Sequence, residues 1–328
     1  VTGVERDWSG TIVILEAILD SKREEIRRLC RQYSGESLVF GPMRERHRFR
    51  DALVADGGVG VIAEIKRASP TGGAICDDLD PSELAAAYVR GTASAVSVLT
   101  DGPHFQGSRE DLEEVRSAVR VPVLRKDFII DELQVLESRQ MGADAILLIL
   151  SALPQERAEK LMYVADSLDL DCLIEVHTQV EFQRALDLGA QIIGVNNRDL
   201  RTFETDVSVT LEILEAAGVP DGVVIVSESG ISSKHQVEAL AASGVDAVLV
   251  GEALARSRCP EWLIAEMRSV KVRKPREHAR PGFGGREPRE RAEPLFTGQE
   301  PGEHEGSRFT GRSTAAQMIR TAEGVQRS

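Results

Sequence analysis

The chain has 328 residues, enough for one large domain or two ordinary ones, and 42% of them are hydrophobic, which is ample for a sizeable core. Only 4% are aromatic, so that core is mostly aliphatic, and the formal net charge of -13 argues against nonspecific binding to nucleic acid or to an acidic membrane surface. No apolar run is long enough to span a bilayer, and Val1 to Gly10 has no signal-peptide pattern. The four cysteines, Cys30, Cys76, Cys172 and Cys259, are far apart and form no Cys-x-x-Cys pair. They suggest neither a zinc site nor a disulfide framework, and a reducing cytoplasmic setting is expected.

From Thr11 to Gln32 the apolar residues Ile14, Leu15, Ile18, Leu19, Ile26 and Leu29 recur at helical spacing, with Asp20, Glu24, Arg27 and Arg28 on the other side. Lys22 falls on the apolar stripe, so it must reach past it to water or to a partner. Gly35 to Asp56 is less regular and carries a basic patch from Arg44 to Arg50. A loop and a short helix there could cover one end of a barrel or carry substrate contacts.

At Val61 a rhythm sets in. Strand-like runs are predicted at Val61–Lys66, Ala95–Leu99, Pro122–Lys126, Ala145–Ile149, Cys172–Val176, Ile192–Asn196, Val223–Ser227 and Ala247–Val250. Amphipathic helical stretches follow them: Ser82–Arg90, Glu110–Val119, Glu132–Met141, Gln155–Ser167, Gln179–Leu188, Val207–Ala217, Ser233–Ser243 and Glu261–Val270. Several end on glycine before the next strand, as at Gly142, Gly189 and Gly244. Eight strand–helix units predict a (β/α)8 TIM barrel over 61–270, preceded by an N-terminal helical segment over 1–60. An open doubly wound sheet is the competing architecture; it often opens with a Gly-x-Gly-x-x-Gly loop, which this chain lacks.

A barrel places its chemistry at the carboxyl ends of the strands. Polar residues gather there: Glu64, Lys66 and Ser69 after the first strand, Arg125-Lys126-Asp127 at the third and Glu175 with His177 at the fifth. Asn196-Asn197-Arg198-Asp199 follow the sixth, Ser227-Glu228-Ser229-Gly230 the seventh and Gly251-Glu252 the eighth. Glu64 and Lys66 lie two apart and face one side of their strand. One such pair alone could be a structural ion pair, but so many ionisable groups converging on one rim point to a site. Small residues after strands seven and eight, Ser229-Gly230 and Gly251, let backbone N–H groups approach a phosphate; ordinary glycine turns are the alternative.

These motifs, taken together and in order, resemble the indole-3-glycerol phosphate synthase family of tryptophan biosynthesis. The resemblance is carried by Ile62-Ala63-Glu64-Ile65-Lys66-Arg67-Ala68-Ser69-Pro70, Ser97-Val98-Leu99-Thr100-Asp101, Phe105-Gln106-Gly107-Ser108, Pro122-Val123-Leu124-Arg125-Lys126-Asp127-Phe128, Leu173-Ile174-Glu175-Val176-His177-Thr178, Gly194-Val195-Asn196-Asn197-Arg198-Asp199-Leu200 and Ser227-Glu228-Ser229-Gly230-Ile231. It runs from about Ile14 to Val270. It implies closure of 1-(2-carboxyphenylamino)-1-deoxyribulose 5-phosphate to indole-3-glycerol phosphate, with loss of carbon dioxide and water and without metal or cofactor.

By the same resemblance Lys126 is the acid for ring closure and Glu175 the acid/base of the dehydration. Lys66 contacts the substrate carboxylate or hydroxyls, Glu64 and Glu228 orient the lysines and hydroxyls, and Asn196 hydrogen-bonds the substrate. Ser69, Ser229, Gly230 and Gly251 would hold the phosphate, and Arg198 the carboxylate or its loop. Phe105, Phe128, Leu147 and Leu200 would form the slot for the aromatic ring, although periodicity alone reads all four as core. Two other functions stay open: another phosphate-binding barrel enzyme such as a sugar-phosphate isomerase, and a non-catalytic barrel. The first has no reason to keep all of Glu64, Lys66, Lys126, Glu175 and Asn196, and the second would have lost at least one acid/base residue.

Two departures stand out. Where many family members read Ser-Pro-Ser-Lys-Gly, this chain reads Ser69-Pro70-Thr71-Gly72-Gly73. The missing lysine removes a positive charge near the mouth and is expected to act on affinity more than on chemistry. From 271 to 328 the composition turns to Arg, Glu, Gly and Pro, with 12 Lys and Arg against 8 Glu. Such a segment cannot offset its chain entropy by burial and is predicted to be a disordered tail. It reads as a solvated extension or, alternatively, as a docking tail for other tryptophan-pathway enzymes.

Overall fold

The computed structural model describes residues 12–33, 48–69, 73–74, 79–199 and 204–272. The loop change at Thr71 and Gly72, the slot residue Leu200, Arg44 to His47 of the basic patch and the tail beyond Val272 lie outside the described residues.

Eight strands alternate with helices: β1 Gly60–Ile65, β2 Ala95–Leu99, β3 Val123–Lys126, β4 Ala145–Ile149, β5 Asp171–Val176, β6 Ile192–Asn196, β7 Val224–Glu228 and β8 Ala247–Val250. Four of them have the bounds the sequence predicts, β3 and β5 differ by one residue at their start, and β1 and β7 are shifted by one residue at both ends. All neighbours pair in parallel, and β1 pairs both with β2, Ile62 opposite Ala95, and with β8, Gly60 opposite Ala247. The sheet is therefore closed, which excludes the open doubly wound alternative and makes the fold a (β/α)8 barrel. The strands are buried on both faces, as a sheet covered by helices requires.

Helix starts follow their caps. Asp80, Ser108, Asp131, Thr178 and Ser233 each accept backbone N–H bonds at an N-terminus. Gly142 closes the helix Glu132–Met141 at φ 86°, a conformation open to glycine without strain. The aspartates that follow these glycines cap the sheet's lower edge: Asp144 accepts from Val123 N at 2.9 Å and Asp246 from Ile225 N at 2.8 Å.

One apolar layer lies between barrel and helices, with Val61, Val96, Ile146, Ile174 and Ile225 pointing outward. A second fills the barrel, with Ile62, Leu124, Leu173 and Val226 pointing inward. Helix α1, Ile12–Tyr33, packs on the outer layer against the helix Glu132–Met141. The short helix α2, Phe49–Leu53, plugs the amino-terminal mouth with Phe49 and Leu53. Arg50 fastens this plug, donating to Gly222 O at 2.8 Å, while its backbone N–H donates to Asp171 at 3.1 Å. The described part of the irregular N-terminal segment thus covers one end of the barrel, the end away from the carboxyl ends of the strands.

Candidate active site

The odd-numbered strands repeat one device. Two residues beyond the inward apolar set Ile62, Leu124, Leu173 and Val226, the same strand face carries Glu64, Lys126, Glu175 and Glu228. Period-two alternation puts all four into the lumen as its last layer before solvent. Lys126 Nζ lies 3.2 Å from Glu175 Oε2 and 3.7 Å from Glu228 Oε2. Lys66, just past the end of β1, pairs with Glu64 at 2.9 Å. Asn196 at the end of β6 donates its Nδ2–H to Glu175 Oε1 at 3.1 Å. The six residues that the resemblance marks as catalytic therefore meet at one rim.

Neighbours of these residues face elsewhere, for the same geometric reason. Arg125 and Asp127 flank Lys126 but point out of the barrel. Arg125 is held by Thr100, Ser138, Glu137, Asp127 and the Gln134 carbonyl. Asp127 and Asp101 both pair with Lys22 of α1, at 2.7 and 3.0 Å. The partner that Lys22 needs is thus a buried acidic pair, and Lys22 itself is 1% exposed. Asp101 also caps the short helix that carries Phe105, and Asp127 accepts the Phe128 N–H. The two aromatic rings lie 6.2 Å apart at 34°, both half-buried, and Phe128 packs on the apolar cluster that fills the barrel. Leu147, by contrast, is fully buried in the lumen beneath the charged layer, as its floor.

On the opposite side, Ser229 and Gly230 both have left-handed backbones, at φ 67° and 78°. Asn197 clamps this turn: its Nδ2 donates to Ser227 Oγ and to the carbonyls of Glu228 and Ser229. Arg198 is half-buried, and its charge reaches Glu64. Of Ser69 only the backbone is described, in a two-residue strand pairing Ala68–Ser69 with Gly73–Ala74.

Two glycines make room for the carboxylates. A Cβ at Gly194 would overlap Glu228 Oε1, and one at Gly251 would overlap Glu64 Oε1. Gly251 therefore has a packing duty in addition to any ligand contact. The duty of Gly194, like the clamp of Asn197, was not read from the sequence. A glycine two residues before an inward Asn, opposite a strand ending in Glu, was the available signal.

Electrostatics separates the carboxyls. Burial alone would raise Glu64, yet Lys66, Lys126 and Arg198 hold it below the usual range. Burial would raise Glu175 too, but Lys126, His177 and the Asn196 hydrogen bond keep it ionised. Burial would lower Lys126, and the carboxylates of Glu175, Glu228 and Glu64 hold it charged. Neither oxygen of Glu228 meets a hydrogen-bond donor among the described residues. Burial and the nearby Glu175 and Glu64 push its carboxyl up to about 8, against the pull of Lys126 and His177. The rim thus sets a charged ammonium among carboxyls driven in opposite directions, Glu64 and Glu175 down and Glu228 up.

A closed (β/α)8 barrel with lysines and carboxyls packed together at the carboxyl ends of its strands is built as an enzyme. The sequence profile of indole-3-glycerol phosphate synthase matches residues 15–267. An indole-3-glycerol phosphate synthase of Mycobacteroides abscessus is 49% identical over 262 residues, 79% of this chain and 94% of that one. Those of Burkholderia multivorans and Carboxydothermus hydrogenoformans are 45% and 42% identical, over 77% and 76% of this chain and 98% and 97% of theirs. The chain belongs to the indole-3-glycerol phosphate synthase family.

Proposed function

We propose that this chain is a carbon–carbon lyase that closes 1-(2-carboxyphenylamino)-1-deoxyribulose 5-phosphate to indole-3-glycerol phosphate in tryptophan biosynthesis. The observation that carries the reading is Lys126, an ammonium held charged between Glu175 and Glu228 in a rim that is otherwise buried. Ring closure needs a proton on the ribulose carbonyl oxygen while the carboxylate-bearing ring carbon attacks. Lys126 supplies it, and a buried acid costs no reorganisation at that moment. Carbon dioxide then leaves, which restores the aromatic ring. Dehydration follows: Glu175, ionised at rest, takes up a proton and passes it to the hydroxyl, which departs as water, and a C–H proton is lost as the indole forms.

Lys66, steered by Glu64, binds the substrate carboxylate or hydroxyls. Glu228, protonated near neutrality, donates a hydrogen bond to a substrate hydroxyl, and Asn196 fixes both Glu175 and the substrate. The ring lies between Phe105 and Phe128 over the Leu147 floor, with Leu200 completing the slot. The phosphate is held by Ser69, Ser229, Gly230 and the Gly251 turn, and Arg198 by the carboxylate end. Other pathway enzymes docking on the tail remain part of the proposal.

The test is a fluorescence assay of indole-3-glycerol phosphate formation from that substrate, with Lys126→Ala alongside. A loss of about 10²- to 10⁴-fold in turnover with an intact fold is expected. An intact chain that binds the substrate and does not turn it over would sink the reading.

A further inference from the structure

The reaction proposed above, on which this inference rests, consumes a proton. The substrate enters with an ionised carboxylate and leaves as neutral carbon dioxide, water and an indole. The former carbonyl oxygen gains two protons on its way to water and one C–H loses one, so each turnover draws one proton from solvent. The charged layer has poor access to water, since the side chain of Glu175 is only 2% exposed. Lys66 and Lys126 open toward the mouth that the substrate fills.

Behind Glu175 runs a second line of groups. His177, two residues further along the same face, places Nε2 at 3.4 Å from Glu175 Oε1. Its Nδ1 lies 3.6 Å from Glu181 Oε2 on the helix Gln179–Asp187. Glu181 Oε2 also accepts the His177 backbone N–H at 2.7 Å, which anchors the pair. Side-chain exposure rises outward along the line, 2% at Glu175, 12% at His177 and 16% at Glu181. Neither ring nitrogen has a hydrogen bond among the described residues. Catalytic contacts are commonly loose before substrate binds.

We propose that His177, held by Glu181, delivers to Glu175 the solvent proton that each turnover consumes. The Nε2–H bond of the imidazolium breaks as an O–H bond forms on Glu175. Glu175 passes that proton to the departing hydroxyl, which leaves as water. His177 regains its proton at the outer side, from solvent by way of Glu181. No electron is transferred, and His177 touches no substrate atom: it acts through Glu175 as a positioning residue.

The groups facing His177 are Glu175 on its own strand, Glu181 on the adjoining helix and Glu228 from β7, with Lys126 of β3 beyond Glu175. Burial would lower the imidazole, but the three carboxyl groups outweigh it and keep the imidazolium charged above its ordinary range. The charged, proton-loaded form is the one the relay needs, and it is lost as pH rises.

The experiment measures kcat and KM of the full chain from pH 6 to 9 for wild type, His177→Asn and Glu181→Gln, with and without added imidazole. His177→Asn is expected to lower kcat roughly 10- to 100-fold with KM within about twofold, and imidazole should restore part of the rate in proportion to its concentration. Glu181→Gln should keep most activity at pH 6 but bring the alkaline fall in kcat to lower pH. Wild-type kcat and pH profile in both variants would overturn the relay. So would a loss in His177→Asn that imidazole does not relieve together with an unmoved profile in Glu181→Gln, because that is what a structural role gives. Absence of turnover by wild type itself would instead overturn the reaction assigned above.

Discussion

Asp127 and Glu228 are both fully buried carboxyls at the carboxyl end of the same barrel, yet they hold their protons in opposite ways. Asp127, facing outward just past the end of β3, takes Lys22 at 2.7 Å, Thr100 Oγ1 at 2.6 Å, Arg125 at 3.0 Å and the Phe128 N–H at 2.8 Å. Burial would raise it, but Lys22 and Arg125 bring it down to about 2. Glu228, facing inward from β7, has one ammonium at 3.7 Å and two carboxylates nearby, and it is pushed up to about 8. Burial does not decide what an acid does; the donors that reach it do. The outer cluster uses its charges up in fixing α1 and the two aromatic loops to the barrel. The inner one is left unbalanced, and an unbalanced cluster can move a proton.

The comparison breaks first at Asp127. Asp127→Asn leaves Lys22 and Arg125 short of their shared anion and should cost about 3 kcal/mol or more, read from urea unfolding at neutral pH. Because the native carboxyl lies below its ordinary 3.8, its contribution is fully present above that value and is lost as pH falls toward 2. The difference between variant and wild type should therefore shrink in acid. A variant as stable as wild type at pH 7 would mean that the outer cluster anchors nothing.

Glu228→Gln should do the reverse. A carboxyl raised from 4.5 to about 8 binds its proton more tightly in the native state, so native stability falls as pH rises between those values. An amide mimics the protonated form and removes this dependence. Relative to wild type the variant should gain roughly 1 kcal/mol per pH unit across that window while its turnover drops. Equal differences at pH 5 and pH 8 would show that Glu228 is ionised like its neighbours.

Much of this could be read ahead of the coordinates. Inward Glu64, Lys126, Glu175 and Glu228 are conspicuous because each follows an apolar residue by two, and alternation makes no other face available. The barrel itself follows from eight apolar runs separated by capped helices. Lys22 was legible only as a problem: its place on the apolar stripe demands a partner, but nothing local names Asp101 and Asp127, which lie in two distant loops that only the closed barrel brings together. Arg125 and Asp127 could be taken for site groups because they are contiguous with Lys126, although the same alternation turns them outward. The upward push on Glu228 was not legible at all, since it depends on donors that fail to reach it.

The smallest expected effect lies one residue from one of the largest. Arg23 follows Lys22 on α1 and pairs with Asp20 at 2.5 Å, but its side chain is 49% exposed and that of Asp20 is 72% exposed. Water solvates both charges nearly as well apart as together, salt screens what remains, and holding two long side chains in register costs entropy. Arg23→Ala should therefore change stability by less than about 0.5 kcal/mol, in urea unfolding at low and at high salt alike. The ammonium beside it has no such alternative, because the helix buries it against two aspartates and water cannot replace either one. A loss in Arg23→Ala comparable to that of Asp127→Asn would mean that charge count along α1, not desolvation, holds the helix to the barrel.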